Sequence, residues 1–206
     1  MQRLLTTLRA ATTNMASSIR SVAYNLLSAE DRGWLDARVN GTWDININTM
    51  QVDVHGSVSM DVRDTSIIVP FGHITGSFIC SGAPIKSLEN SPRIVEGLFE
   101  CSATCITSMV GAPLKVANVW CKLTRLESLE HCPQAAHGIS ITGTPLAFAM
   151  ADNVLRVFKL KVRCEQFYAF DDNEINRIIN KHWAERDILA AQEDLIDAGY
   201  GNVARL

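Results

Sequence analysis

The chain has 206 residues, with 19 basic and 22 acidic side chains for a formal net charge of −3. With 47% apolar and 20% charged residues it can bury a sizeable core, which argues against gross disorder. The absence of a basic surplus argues against binding dominated by phosphate contacts, so no nucleic-acid partner is expected. No apolar run reaches the length of a membrane span.

Residues 2–27 read as an amphipathic helix. Leu4, Leu8, Ala11, Met15, Ile19, Val22 and Leu26 recur at steps of three and four. Arg3, Arg9 and Arg20 are present, and no acid precedes Glu30. A helix that caps the rest of the fold or pairs with another chain is the reading adopted. A targeting presequence and a helix lying on a membrane surface are the alternatives. Ser28 followed by Asp31 is a second helix start, a hydroxyl cap with an acid three residues on. Trp34 and Leu35 fall in that short helix, and Asn40-Gly41 stops it. From Trp43 the period changes to two, through Trp43, Ile45 and Ile47, then Val52 and Val54, then Val58, Met60 and Val62. This predicts strands that start a sheet, turning near Asn48-Thr49 and breaking near His55-Gly56.

The next stretch repeats itself. Phe78, Cys80, Ile85, Leu88 and Pro92 are followed by Phe99, Cys101, Ile106, Met109 and Pro113, and then by Val119, Cys121, Leu126, Leu129 and Pro133. Within each unit the later residues lie at offsets of 2, 7, 10 and 14, and the units are 21 and then 20 residues apart. Such a period belongs to the short end of the leucine-rich range. Each unit predicts one short strand, such as 78–81, with Phe78 and Cys80 inward and Ile79 outward. The proline ends the unit in an extended segment, having no N–H and a fixed φ. One unit cannot bury its apolar side alone, so successive units must stack. Val58, Met60 and Ile68 form a fainter copy before the clear ones, and Ile139, Ile141 and Leu146 another after them, with Ala149 at offset 10. Cys80, Cys101 and Cys121 hold one repeat site and read as a ladder of reduced core thiols.

The pattern Gly-x-Phe-x-Cys-Ser, then Leu-x-Ser-Leu-x-x-x-Pro, resembles the short leucine-rich-like repeats of bacteriophage and bacterial proteins. The lead-in Val39-Asn-Gly-Thr-Trp43, Val52-Asp-Val-His-Gly56 and Val69-Pro-Phe-Gly72 is similar to that of such phage proteins, so the resemblance covers residues 39–150. Members often carry Asn where this chain has Ala83, Thr104 and Thr124. The resemblance implies a virus-encoded protein acting in the cytoplasm of an infected bacterium or in the virion.

Beyond the repeats, 154–162 alternates Leu155, Val157, Leu160 and Val162 with Arg156, Lys159, Lys161 and Arg163. This predicts a final strand with a solvated basic face. Phe167, Tyr168 and Phe170 read as residues that seal the end of the core, with stacking on bases beside the basic segment as the alternative. Asp171-Asp172 opens a helix whose Ile175, Ile178, Ile179 and Trp183 share a face, either continuing or restarting after 184–187 and stopping at Gly199.

The predicted organisation is a β-rich, leucine-rich-repeat-like solenoid with a parallel sheet over 39–153, a helical segment over 1–38, and a C-terminal strand and helical cap over 154–206. No nucleophile elbow, phosphate loop or zincin motif is present. A zinc set of Cys101, Cys105, Cys132 and His137 has the spacing of no common finger. Pairing of Cys132 with His131 or His137 is the basis of a third reading, a cysteine enzyme. The adopted reading is not an enzyme, with no catalytic, cofactor or metal residues. It is a protein-binding chain whose partner is a host or viral protein, contacted through Ser77, Ile79, Ser81, Leu98, Glu100, Ser102, Trp120 and Lys122 on the outward sheet face. Trp120 is the expected anchor, with packing beneath a terminal helix as its alternative. The second reading is a virion assembly component that forms homo-oligomers through its terminal helices.

Overall fold

The computed structural model describes residues 27–206, so the expected helix over 2–27 lies, but for Leu27, outside the described residues. The chain forms a β-solenoid of about four turns. Its sheet has eight strands: β1 (Val39–Asn46), β2 (Gln51–Ser59), β3 (Phe71–Ile74), β4 (Phe78–Ile79), β5 (Ile94–Glu100), β6 (Lys115–Trp120), β7 (Gln134–Ser140) and β8 (Gln166–Tyr168). β1 and β2 form an antiparallel hairpin at one edge, and every pairing from β2 to β8 is parallel. A continuous parallel order of this kind needs a crossover between each pair of strands. The 20-residue units supply it.

The register follows the repeat. Val58 pairs with Phe78, Phe78 with Phe99, Phe99 with Val119, Val119 with Ile139 and Ile139 with Phe167. All six side chains are buried. Phe78 and Phe99 stack with ring centres 5.9 Å apart. Behind them runs a second buried row of Met60, Cys80, Cys101, Cys121, Ile141 and Ala169. Ile85, Ile106 and Leu126 fill the interior from the crossover side, with Leu88 and Met109 beside them. These are the offsets 0, 2, 7 and 10 of the sequence pattern. Leu129 is only partly buried.

Two corners recur in each coil. Gly82, Ala103, Leu123 and Gly143 all have φ between 53° and 76° and stand four residues after the first inward residue. Asn90, Gly111 and His131 also have positive φ and stand twelve after it. At the first corner two of four residues are not glycine, so the fold holds Ala103 and Leu123 in a backbone region that costs side-chain-bearing residues about 1–2 kcal/mol each. The strands also bend midway. A Cβ on Gly97 would lie 2.8 Å from the Gly76 carbonyl oxygen, so the coils approach too closely there for a side chain. Past each proline the ladder resumes, with Arg93 N–H donating to Gly72 O and Leu114 N–H to Arg93 O.

The flanking copies are less regular than their sequence suggests. Before the clear units, Ile67 and Val69 point inward while Ile68 is exposed. The bend after Met60 shifts the crossover by one residue, and Val62 turns to solvent. β2 runs unbroken through Gly56. After the clear units, Pro145–Phe148 forms a single helical turn (α2, following α1 at Ala29–Arg38) with Thr144 as N-cap. Ala147 and Met150 are therefore buried instead of Ala149.

The expected strand at 154–162 is absent. Val154–Lys159 is a 3₁₀ helix in which Val154, Leu155, Val157 and Phe158 are all buried. Those four sit at i, i+1, i+3 and i+4, a helical spacing that the apolar–basic alternation disguised. Asn153 caps the turn by accepting from Leu155 N–H. The last strand comes later, at β8.

Two helices follow, α3 (Asn173–Lys181) and α4 (Ile188–Asp197). They are separate because the chain turns at Arg186, whose φ is 55°, and restarts with Asp187 as cap. α3 closes the end of the sheet with side-chain amides. Asn180 accepts from Phe167 N–H at 2.7 Å and donates to Phe167 O at 3.1 Å, as a neighbouring strand would. Asn176 accepts from Ala169 and Phe170 N–H and donates to Phe170 O. An otherwise open edge is thereby satisfied. Trp183 stacks on Phe167 at 4.9 Å, and the Arg186 guanidinium lies 3.7 Å over Trp183 while donating to Val162 O. At the opposite end, α1 buries Leu35 and sets Trp34 against Phe71. Arg38 grips Asp64 with two hydrogen bonds, and Trp34 and the Asp61 N–H donate to the same carboxylate. No described helix is long and apolar enough to cross a membrane.

Three measurements test this account. Phe99→Ala should lower unfolding free energy by about 3–5 kcal/mol in urea titration. Asn180→Leu should cost about 1–3 kcal/mol, because Phe167 then keeps an unpaired N–H and C=O. Burial pushes the Asp64 carboxyl up, but the donors from Arg38, Asp61 and Trp34 together hold it below its ordinary 3.8. A depressed carboxylate contributes stability that is present above its unfolded value and lost as pH falls through its folded one. Asp64→Asn should therefore flatten the decline in urea midpoint below about pH 4.

Candidate functional site

Register that stacks the inward residues also stacks the outward ones. Ser59, Ile79, Glu100, Trp120, Ser140 and Tyr168 form one row across the sheet. Leu98, Asn118, Gly138 and Gln166 form a second beside it. Ser81, Ser102 and Lys122 continue past the strand ends at the same repeat position as one another. All eight residues expected to face outward lie on this surface, and none of them is in the buried core.

Their environments differ. Ser77 and Ser102 spend their hydroxyls within the fold, accepting from Leu98 N–H at 3.0 Å and Lys122 N–H at 3.3 Å. Ile79, Ser81, Leu98 and Glu100 are partly exposed. Trp120 is 42% exposed, and the Lys122 ammonium sits 4.8 Å from its ring centre.

This face carries a groove of about 610 Å³ beside Trp120. Asn118, Trp120 and Lys122 line one side, Tyr168 and Gln166 the other, with Ser140 of β7 between. Tyr168 is 37% exposed and its hydroxyl donates to Gln166 Oε1 at 2.7 Å, which fixes the ring. The far end is walled by Phe170, Asp171 and Asn173, held in place by Asn176. Tyr200 O–H also donates to the Asp172 carboxylate, tying the C-terminal segment to this wall. The Asp172 carboxyl is held below its ordinary value by the Ile175 N–H and then by Tyr200.

Sequence reasoning reached Trp120 and Lys122 but missed Ser140, Asn118 and Gln166, and it placed Tyr168 among residues sealing the core, which its 37% exposure overturns. The alternation of Phe167 and Ala169 inward did signal Tyr168 outward. Its register could not be counted, because Phe167 lies 28 residues after Ile139 where the repeat would have placed it 20 after.

Cys80, Cys101 and Cys121 are buried, and Cys105, Cys132 and Cys164 are half-buried. Burial, with neighbouring thiols, pushes Cys80 and Cys101 far up, and burial does the same to Cys132; Cys164 is pushed up to about 11. Such thiols carry little thiolate at neutral pH. His131 faces Glu130 at 3.8 Å and His137 faces Glu165 at 3.4 Å. Among the described residues no three His, Cys, Asp or Glu side chains converge to hold a metal, so Cys101, Cys105, Cys132 and His137 are not brought together. Comparison with protein-family models, curated proteins and solved structures finds no match.

Proposed function

We propose that this chain is a non-enzymatic recognition protein of the short leucine-rich-repeat type, phage-encoded, that binds a host or viral protein through the outward face of its sheet. The observation that carries the reading is the half-exposed Trp120 fixed at the rim of a groove on the outward face. A tryptophan held by register rather than by a flexible loop loses little entropy on contact. Ile79, Leu98 and Glu100 extend the same surface across earlier coils, and the resemblance of the repeat points to a viral source.

A second reading, self-assembly in the virion through terminal helices, is favoured by one observation. Leu189 and Ile196 of α4 are 68% and 53% exposed, and Leu206 is 75% exposed nearby in sequence. Sedimentation of the wild type against Leu189→Glu/Ile196→Glu tests it, since assembly through α4 requires the double variant to be smaller.

The leading reading is tested by affinity capture from infected bacteria. Trp120→Ala should reduce partner capture by about thirtyfold, the loss of roughly 2 kcal/mol at a binding hot spot. Its urea midpoint should stay unchanged, because the side chain supports no core contact. Capture equal to the wild type removes Trp120 from the interface.

A further inference from the structure

We propose that the groove between Trp120 and Tyr168 is a subsite for a neutral sugar ring, carried by the glycosylated partner of the recognition face; this rests on the reading above and names its partner's chemistry. Four properties of the groove select that occupant.

Size comes first. The strands bearing Trp120 and Tyr168 are separated by β7, so they stand two strand spacings apart, roughly 9.6 Å. The residue between them in the row is Ser140, and its neighbour in the next row is Gly138, so the floor is low. The 610 Å³ volume falls within the range of about 300–1,000 Å³ typical of small-molecule sites.

The second property is unspent hydrogen bonding. The Ser140 hydroxyl has no hydrogen-bond partner among the described residues, and the residue lines the groove. That hydroxyl is open to the groove and available to a ligand. The side chains of Asn118, Thr142, Asp171 and Asn173 line the same groove and are likewise unpaired among the described residues. Gln166 accepts from Tyr168 and keeps its NH₂ free. Amides offer donors and acceptors together, as hydroxyl-bearing rings require.

Charge is the third. Lys122 and Asp171 are the only ionised side chains among the lining residues, and they balance. Neither a phosphate nor an ammonium group finds a surplus of opposite charge. The fourth is the aromatic wall. The C–H-rich face of a pyranose is weakly positive and packs on the negative face of an aromatic ring, while its hydroxyls point outward to polar partners. A pyranose offers both at once, a C–H face for the aromatic wall and a ring of hydroxyls for the amides.

The test is a ¹H–¹⁵N NMR titration of the full chain with methyl glycosides of glucose, galactose, mannose and N-acetylglucosamine. A sialic acid methyl glycoside and N-acetyl amino-acid amides serve as comparison probes. At least one neutral glycoside should move the Trp120 indole N–H and the Asn118 and Gln166 side-chain amides. Trp120→Ala and Tyr168→Ala should each weaken that binding by about tenfold or more, and Ser140→Ala by about threefold to tenfold with the fold retained. Groove signals unmoved by every neutral glycoside, or moved only by sialic acid or the peptide amides, overturn the subsite. If Trp120-dependent capture of a protein partner persists in that case, the recognition reading stands and only the sugar assignment falls. If capture is independent of Trp120 while a glycoside still binds the groove, the protein-recognition reading falls instead.

Discussion

Each coil of this molecule is held to the next by parallel backbone hydrogen bonds, and those bonds force every side chain to sit directly above its equivalent in the neighbouring coil. A spacing of about 4.8 Å leaves no freedom to stagger. The inward column must therefore be apolar at every level and must fit level by level, which Val58, Phe78, Phe99, Val119, Ile139 and Phe167 do. Once that column is in register, the corners and crossovers follow. Ala103 and Leu123 accept left-handed backbone because leaving it would pull Cys101, Cys121 and their neighbours out of line.

A stack of this kind has two open ends, and the chain deals with each differently. At the first, the β1–β2 hairpin reverses direction and α1 lays Leu35 and Trp34 against the core. At the second, Trp183 stacks on Phe167 and so continues the inward column, and the Arg186 guanidinium lies over Trp183. Burial lowers the pKa of Arg186, yet its hydrogen bonds to Val162 O and Phe158 O keep the charge partnered. Asn176 and Asn180 stand in for a missing strand. Two side-chain amides on one helix face, four residues apart, thus end a sheet that would otherwise invite another chain.

The groove is a product of the same termination. Between β7 and β8 the crossover lengthens to include α2 and the 3₁₀ turn, so the last strand arrives outside the repeat but in register. It brings a large outward residue, Tyr168, two positions along the row from Trp120, with small Ser140 between. A perfectly periodic solenoid presents a flat face. Irregularity in residue size at its last coils creates the hollow, and α3 supplies the wall.

Much of the architecture was legible in the chain alone. The offsets 0, 2, 7 and 10 of three tandem units determined a stacked parallel sheet and identified its inward rows, because a strand alternates faces and identical units can bury their apolar sides only against each other. The outward position of Trp120 followed from the same alternation. What tertiary structure decided was everything that breaks the period: Ile67 in place of Ile68, a 3₁₀ turn in place of a strand at 154–162, and the register of β8. The partnership of Trp120 with Tyr168 is of that kind. Local pattern fixes which way a side chain points, but which residues become neighbours across a non-repeating crossover depends on how the whole chain packs.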